Sequence, residues 1–151
     1  MKTHNKSMRA YMKKYLLVIL PALIAGCSDK EQSVSGRWYT TTQIVNGAEI
    51  FKNNCASCHG DNAQGIVPDW RQTLADGSYP PPPLNGSAHA WHHPLKALQR
   101  TIWNGGIPLG GTMPPFKDKL NNEEINSVIA FFQNKWRSEI YNTWIERGGL
   151  K

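Results

Sequence analysis

The sequence predicts a helical protein, because three segments carry apolar residues at helical spacing. These segments span approximately residues 42–53, 94–104 and 122–147. In each of them apolar side chains recur every three or four positions, which places an apolar stripe along one face of a helix. The segments between them are rich in Gly and Pro, which end helices and favour loops. All of the predicted elements are therefore helices.

The first predicted helix follows a cap at Thr41 or Thr42 and contains Gly47. Glycine inside a helix costs about 1 kcal/mol relative to alanine. A glycine in this position favours the close approach of another helix, which requires a partner elsewhere in the chain. We expect this partner to be the last helix, with Phe131 or Phe132 lying across the glycine.

The last predicted helix begins at a cap formed by Asn121 or Asn122, with two glutamates in its first turn. Its apolar stripe continues without a gap as far as the pair Gly148-Gly149, which ends the helix. The stripe consists of Ile125, Val128, Ile129, Phe132, Trp136, Ile140 and Trp144.

The positive charge of the chain is concentrated at its start. The formal charge is +6, but five of the basic residues lie within the first fourteen positions, and no acidic residue precedes Asp29. From Cys27 onward there are 12 basic and 11 acidic residues. The nearly neutral remainder argues against nucleic-acid binding.

Residues 1–26 are typical of a bacterial lipoprotein signal peptide. A basic start precedes an apolar run at 15–25, which is shorter than the roughly 20 residues that span a bilayer. The run ends in Leu-Ile-Ala-Gly-Cys27, which resembles a lipobox with cleavage before Cys27 and lipid on its thiol. A soluble secreted protein and an uncleaved N-terminal anchor are the alternatives.

This start predicts an exported protein that a lipid on Cys27 anchors to a membrane, facing the periplasm or the cell exterior. Residues 27–40 are polar and predict a flexible tether, followed by one domain at 41–147 that includes a C-terminal helical extension. Trp38 and Tyr39 end the tether, and we expect them to pack on the domain rather than rest in the lipid interface.

The pentapeptide Cys55-Ala-Ser-Cys58-His59 indicates covalent attachment of haem. Thiols at i and i+3 lie about one helical turn apart, so each can add to one vinyl group of a porphyrin. The histidine that follows is then placed to bind the iron. A structural zinc site normally needs four ligands, and the chain has only three cysteines. A thioredoxin-like site would follow a strand, whereas a helix is predicted here. We therefore predict one covalent haem c, with His59 as its proximal ligand.

Met113 is the predicted second axial ligand. It lies in the Gly- and Pro-rich loop 105–116, which is expected to contain no helix, and it is the only methionine that remains once the signal peptide is removed. A thioether sulfur is a suitable second ligand for a six-coordinate haem. The proline run 80–83 offers free carbonyl groups, and we expect the carbonyl of Pro83 to accept the Nδ1 proton of His59.

Three histidines, His89, His92 and His93, precede Pro94. Copper or zinc binding is one interpretation of this cluster. The other interpretation is that the histidines belong to the segment that leads into the second helix, with Pro94 at the first position of that helix. The lack of a nearby carboxylate or cysteine favours this second interpretation.

The order of these motifs resembles the class I (mono-haem) cytochromes c, of the membrane-anchored bacterial lipoprotein type. The resemblance covers about residues 45–136 and includes Gly47-x-x-x-Phe51, Cys55-x-x-Cys58-His59, Pro83-Leu84-x-Gly86, Met113-Pro114 and the aromatic last helix. It implies an all-α class I cytochrome c fold, in which the N- and C-terminal helices cross beside a covalently bound haem. The long segment 60–79 and the extension after Trp136 depart from compact members.

Single-electron transfer is the function that the resemblance implies. A haem with both His59 and Met113 as ligands has no open coordination site, so we expect an electron carrier rather than an enzyme. Its expected partners are redox proteins such as respiratory complexes or oxidases. The alternatives are a small-gas sensor in which Met113 dissociates and an oxidase-associated accessory protein that uses the histidine cluster for copper.

Overall fold

The computed structural model describes residues 33–151, so the predicted signal peptide and Cys27 lie outside it. In this part of the chain there are no strands, only two isolated bridges, Ser33 with Thr40 and Tyr79 with Gly111. The predicted all-α class is confirmed. The helices are α1 (Thr41–Asn54), α2 (Ala56–His59), α3 (Leu95–Asn104), α4 (Asn122–Gln133) and α5 (Ser138–Glu146), with 3₁₀ turns at His89–His92 and Ile107–Leu109.

Helix α1 begins one residue earlier than predicted, because Thr40 is its cap. The Thr40 hydroxyl accepts a hydrogen bond from the Gln43 amide (3.2 Å), and the Gln43 side chain accepts one from the Thr40 amide (3.0 Å). This reciprocal pair satisfies two amides that the first turn of a helix leaves free.

Helices α1 and α4 cross at Gly47. A Cβ atom on Gly47 would overlap the backbone carbonyl of Ser127 and lie 3.1 Å from the Cβ of Phe131. The rings of Phe51 and Phe131 are 4.9 Å apart on the same crossing. The predicted close approach of the last helix is therefore confirmed, and Phe131 rather than Phe132 lies against the glycine.

The prediction of one continuous last helix is wrong, since α4 ends at Gln133 and α5 begins at Ser138. The turn between them lets two indoles reach different loops. Trp136 Nε1 donates to the Leu84 carbonyl, and Trp144 Nε1 donates to the His93 carbonyl, each at 2.8 Å. Apolar residues keep their helical spacing through the turn, so the sequence pattern does not reveal it.

The packed domain begins before the predicted boundary at residue 41. The amide of Trp38 donates to the hydroxyl of Tyr141 (3.0 Å), and its indole donates to Gln133 Oε1 (2.6 Å). Tyr39 is fully buried, and the guanidinium of Arg37 lies 3.9 Å from the centroid of the Tyr141 ring. The predicted packing of Trp38 and Tyr39 is confirmed, but the end of the predicted tether belongs to the domain.

Helix α3 carries Leu98 and Ile102 into the core and ends at Gly105, whose φ of +81° favours glycine. Pro94 precedes the first residue of α3 as its cap, so the prediction of Pro94 at the first helical position is wrong by one residue. The cap position also suits proline, since the amide of the cap residue has no partner within the helix. None of the described helices is both long and apolar enough to cross a membrane.

Candidate functional site

The Cys55–His59 motif forms the junction of α1 and α2. The amides of Cys58 and His59 both donate to the Cys55 carbonyl, at 3.1 and 2.9 Å. One turn of helix thus carries both thiols and the imidazole, as the spacing predicts. Both cysteines are free thiols.

The two thiols differ in their surroundings. Cys55 is 8% exposed, whereas Cys58 lies at the surface. Burial, together with the nearby Cys58 thiol, raises the pKa of Cys55 to about 11. Cys55 is therefore a neutral, buried thiol at physiological pH.

His59 is 7% exposed, and a hydrogen bond orients its ring. Its Nδ1 lies 2.9 Å from the carbonyl oxygen of Pro82. Because a carbonyl only accepts, Nδ1 carries the proton and Nε2 keeps its lone pair. Burial lowers the pKa of His59, and the hydrogen bond to Pro82 partly opposes this effect. The result is a neutral, oriented imidazole, which is the form that binds a metal.

The carbonyl that accepts from His59 belongs to Pro82, so the prediction of Pro83 is wrong by one residue. The ring of Pro83 instead packs over Gly65, where an added Cβ atom would lie 3.2 Å from it. In an extended proline run the chain turns once in about three residues, so successive carbonyls point in different directions. Which of them faces His59 depends on the packing of the run, which the sequence does not specify.

Ala63 supports the proline run, and nothing in the sequence indicates this role. Its carbonyl accepts hydrogen bonds from the amides of Leu84 (2.7 Å) and Asn85 (3.1 Å). Ala63 is fully buried, and its φ of +57° is a backbone conformation that alanine rarely adopts. Nearby, the Gly65 amide donates to the His59 carbonyl at 2.7 Å. The two hydrogen bonds to Ala63 therefore join the loop after His59 to the end of the proline run.

Met113 is half-buried and packs against the core. The amide of Gly106 donates to the Met113 carbonyl at 2.9 Å, and a Cβ atom on Gly106 would lie 3.3 Å from the Cβ of Met113. A Cβ atom on Gly105 would lie only 2.7 Å from the same carbonyl oxygen. The two glycines let the ends of the loop meet closely. The loop also contains the 3₁₀ turn Ile107–Leu109, although no helix was predicted there.

The three histidines of the 89–93 segment do not converge. The His89 ring packs 4.7 Å from Trp70 and 5.5 Å from His93, while His92 packs on Trp91. Across residues 33–151, no three His, Cys, Asp or Glu side chains are grouped in a way that would hold a metal ion. Within these residues, a copper or zinc site at this segment therefore has no third His, Cys, Asp or Glu ligand.

The donor set at α2 fits a c-type haem. It combines two unpaired thiols one helical turn apart with a neutral imidazole whose Nε2 is free. No disulfide competes for the thiols, and the imidazole already has the carbonyl partner that a metal-bound histidine normally has.

The family model described as cytochrome c oxidase, cbb3-type, subunit III matches residues 42–132. The CcoP subunit of a cbb3-type oxidase from Azospirillum sp. (strain B510) is 28% identical over 107 residues, which cover 71% of this chain and 33% of the relative. The FixP subunit from Rhizobium etli is 36% identical, covering 58% of this chain and 29% of the relative. The chain thus spans about a third of the length of these subunits.

Cytochrome c6 from Bryopsis maxima is 32% identical over 89 residues, which cover 58% of this chain and 88% of the relative. No solved structure matches the chain. The matched region includes the whole Cys55–His59 motif and all but one residue of each of the crossing helices α1 and α4. The chain therefore belongs to the cytochrome c family, through a domain of the cytochrome c oxidase, cbb3-type, subunit III group.

Proposed function

We propose that this protein is a single-electron carrier with one covalently attached haem c. The observation that carries the proposal is the buried His59, oriented by the Pro82 carbonyl on the same helical turn as Cys55 and Cys58. The two cysteines would hold the haem, and His59 and Met113 would be its iron ligands. When bound, the haem supplies a reversible one-electron couple.

The surrounding residues hold both ligands in place. The Pro82 carbonyl fixes the His59 ring and increases the electron density on Nε2. The close approach of Gly105 and Gly106 fixes the backbone of Met113. Two protein ligands leave no position for a substrate, which favours electron transfer over catalysis. A neutral thioether ligand also favours the reduced state.

The loop that carries Met113 also offers an apolar contact surface for a redox partner. Ile107 and Leu109 are 62% and 76% exposed at its tip, and the exposed Tyr79 lies next to Gly111 of the same loop. Exposed apolar side chains grouped around a site mark protein–protein contacts. We propose that a respiratory oxidase or another redox complex binds here, in keeping with relatives that are named as oxidase subunits.

We further propose that the protein is exported and that a lipid on Cys27 holds it at a membrane, facing the periplasm or the cell exterior. The support is the signal sequence with its terminal Leu-Ile-Ala-Gly-Cys27. Covalent haem attachment through Cys-x-x-Cys-His agrees with export.

Absorption spectra of the full-length protein test the ligand assignment. We expect a six-coordinate low-spin spectrum with a ferric sulfur-to-iron band, and no response of the reduced form to CO. Met113→Leu should lose this band and bind CO, because leucine has no donor atom. Leu109→Ala on the same loop is the matched control and should keep the wild-type spectrum. An unchanged Met113→Leu spectrum would contradict the assignment, and CO binding by the wild type would favour the gas sensor.

A further inference from the structure

The carbonyl that orients His59 lies in a segment that has no backbone amide to donate. Residues 80–83 are all proline and therefore have no amide proton. No backbone hydrogen bond donated by the run can fix the Pro82 carbonyl. Besides ring packing such as that of Pro83 over Gly65, its position depends on the residues that flank the run. Leu84, two residues after Pro82, is the nearest residue on that side with an amide to donate.

The backbone amide and the backbone carbonyl of Leu84 are both hydrogen-bonded. Its amide donates to the Ala63 carbonyl at 2.7 Å, and its own carbonyl accepts from Trp136 Nε1 at 2.8 Å. Ala63 belongs to the loop that directly follows His59, whereas Trp136 lies in the turn between α4 and α5. The end of the proline run is therefore fixed to the His59 loop and to the C-terminal part of the domain.

Trp136 is itself firmly placed. It is buried, and its indole packs edge-on against Trp144, with ring centroids 5.9 Å apart. Gly86 also lies against the indole, since an added Cβ atom there would be 3.1 Å from Trp136 Cδ1. A buried indole in fixed packing gives its N–H one direction, and that direction is toward Leu84.

We propose that Trp136 is a positioning residue for His59, acting through Leu84 and the Pro82 carbonyl. The proposal rests on the proposed role of His59 as an iron ligand. Trp136 keeps the Pro82 carbonyl within hydrogen-bond distance of Nδ1, and this hydrogen bond sets how strongly the imidazole donates electrons. A weaker hydrogen bond makes the imidazole a poorer donor, which destabilises ferric iron and raises the reduction potential.

The test compares Trp136→Phe with Trp144→Phe in the full-length haem-loaded protein. Each variant removes one buried indole N–H that donates to a loop carbonyl at 2.8 Å, but only Trp136 donates to the end of the proline run. We expect a higher reduction potential in Trp136→Phe and exchange of the His59 Nδ1 proton about tenfold faster, as the weakening of one hydrogen bond implies. Trp144→Phe should keep the wild-type potential and exchange rate.

A second measurement covers the case in which Trp136→Phe does not fold. Benzothienylalanine at position 136 keeps the shape of tryptophan and replaces the N–H with sulfur, so it removes only the hydrogen bond. It should produce the same two changes as Trp136→Phe. Unchanged potential and exchange with this residue at position 136, or equal changes when it replaces Trp144 with the ring packing kept, would overturn the positioning role. The wild-type spectrum separately reports whether the iron has the proposed ligands.

Discussion

Tyr39 shows how burial dominates the pKa of a single titratable group. The side chain is fully buried between Trp38 and Tyr141, with ring centroids 5.4 and 6.3 Å away. Its hydroxyl makes no hydrogen bond of ordinary geometry. Burial raises the pKa of Tyr39 to about 12, and the positive charge of Arg37 only partly opposes this effect. The phenol is therefore expected to remain neutral in the folded protein at a pH where the unfolded chain ionises.

This environment predicts a specific alkaline instability. Between pH 10 and 12 the unfolded state loses the Tyr39 proton and the folded state retains it, so the free energy of unfolding should fall as pH rises. Tyr39→Phe should reduce this fall and change stability at pH 7 by less than about 1 kcal/mol, because the hydroxyl lacks a good hydrogen bond. Urea unfolding at several pH values measures both effects. The exposed Tyr79 is the control, and an equal effect of Tyr79→Phe would contradict the explanation.

At the scale of elements, the crossing of α1 and α4 is the contact on which the position of the haem motif depends. Helix α1 leads directly into Cys55, so any shift of α1 is transmitted to α2 and His59. The crossing is close only because Gly47 has no side chain, as the overlap of an added Cβ atom with the Ser127 carbonyl shows. The opposing atom is backbone, which cannot rotate away.

Gly47→Ala should therefore destabilise the protein by about 2 kcal/mol, even though alanine is the better helix former. The expected reason is that α1 must move away from α4 to make room for the methyl group. Urea unfolding followed by far-ultraviolet circular dichroism measures the loss. Asn46→Ala, at the exposed neighbouring position, is the control and should change stability by less than about 0.5 kcal/mol. A Gly47→Ala protein as stable as this control would show that the crossing is adaptable.

At the scale of the whole molecule, the turn at residues 33–40 limits how far the domain would extend from the lipid that we propose on Cys27. The Val34 amide donates to the Tyr39 carbonyl at 3.0 Å, and Ser33 forms a bridge with Thr40. Only residues 28–32 then separate Cys27 from the packed domain, and they span at most about 20 Å. A domain held this close to the surface would exchange electrons with partners in the same membrane.

Cys27→Ser tests this arrangement. We expect the variant to move from the membrane fraction to the soluble fraction, because a serine hydroxyl cannot take the place of the lipidated thiol. Its absorption spectrum should remain that of the wild type, since Cys55 and Cys58 are unchanged. Ser28→Ala is the matched control and should stay with the membrane. A Cys27→Ser protein that also stays there would favour an uncleaved N-terminal anchor.

Local features of this chain were predictable from the sequence for physical reasons. The helical class follows from the spacing of apolar residues, and the helical turn at Cys55–His59 follows from the i, i+3 spacing. The close approach of another helix at Gly47 was predictable because glycine lowers the stability of a helix, so its presence there indicates that a side chain would not fit. Each of these inferences requires only neighbouring residues or a general rule about helices.

Long-range contacts decided the rest. The carbonyl of Pro82 rather than that of Pro83 faces His59, and the end of the proline run is hydrogen-bonded to Ala63 and Trp136. The last helix breaks after Gln133, and the indoles on either side of the break donate to separate loops. These outcomes depend on pairs of residues that are 23 to 52 positions apart in the sequence and meet only in the folded chain. The sequence by itself determined the helical class and the candidate ligand types, whereas only the tertiary structure decided which carbonyl orients the histidine, because packing selects among chemically equivalent groups.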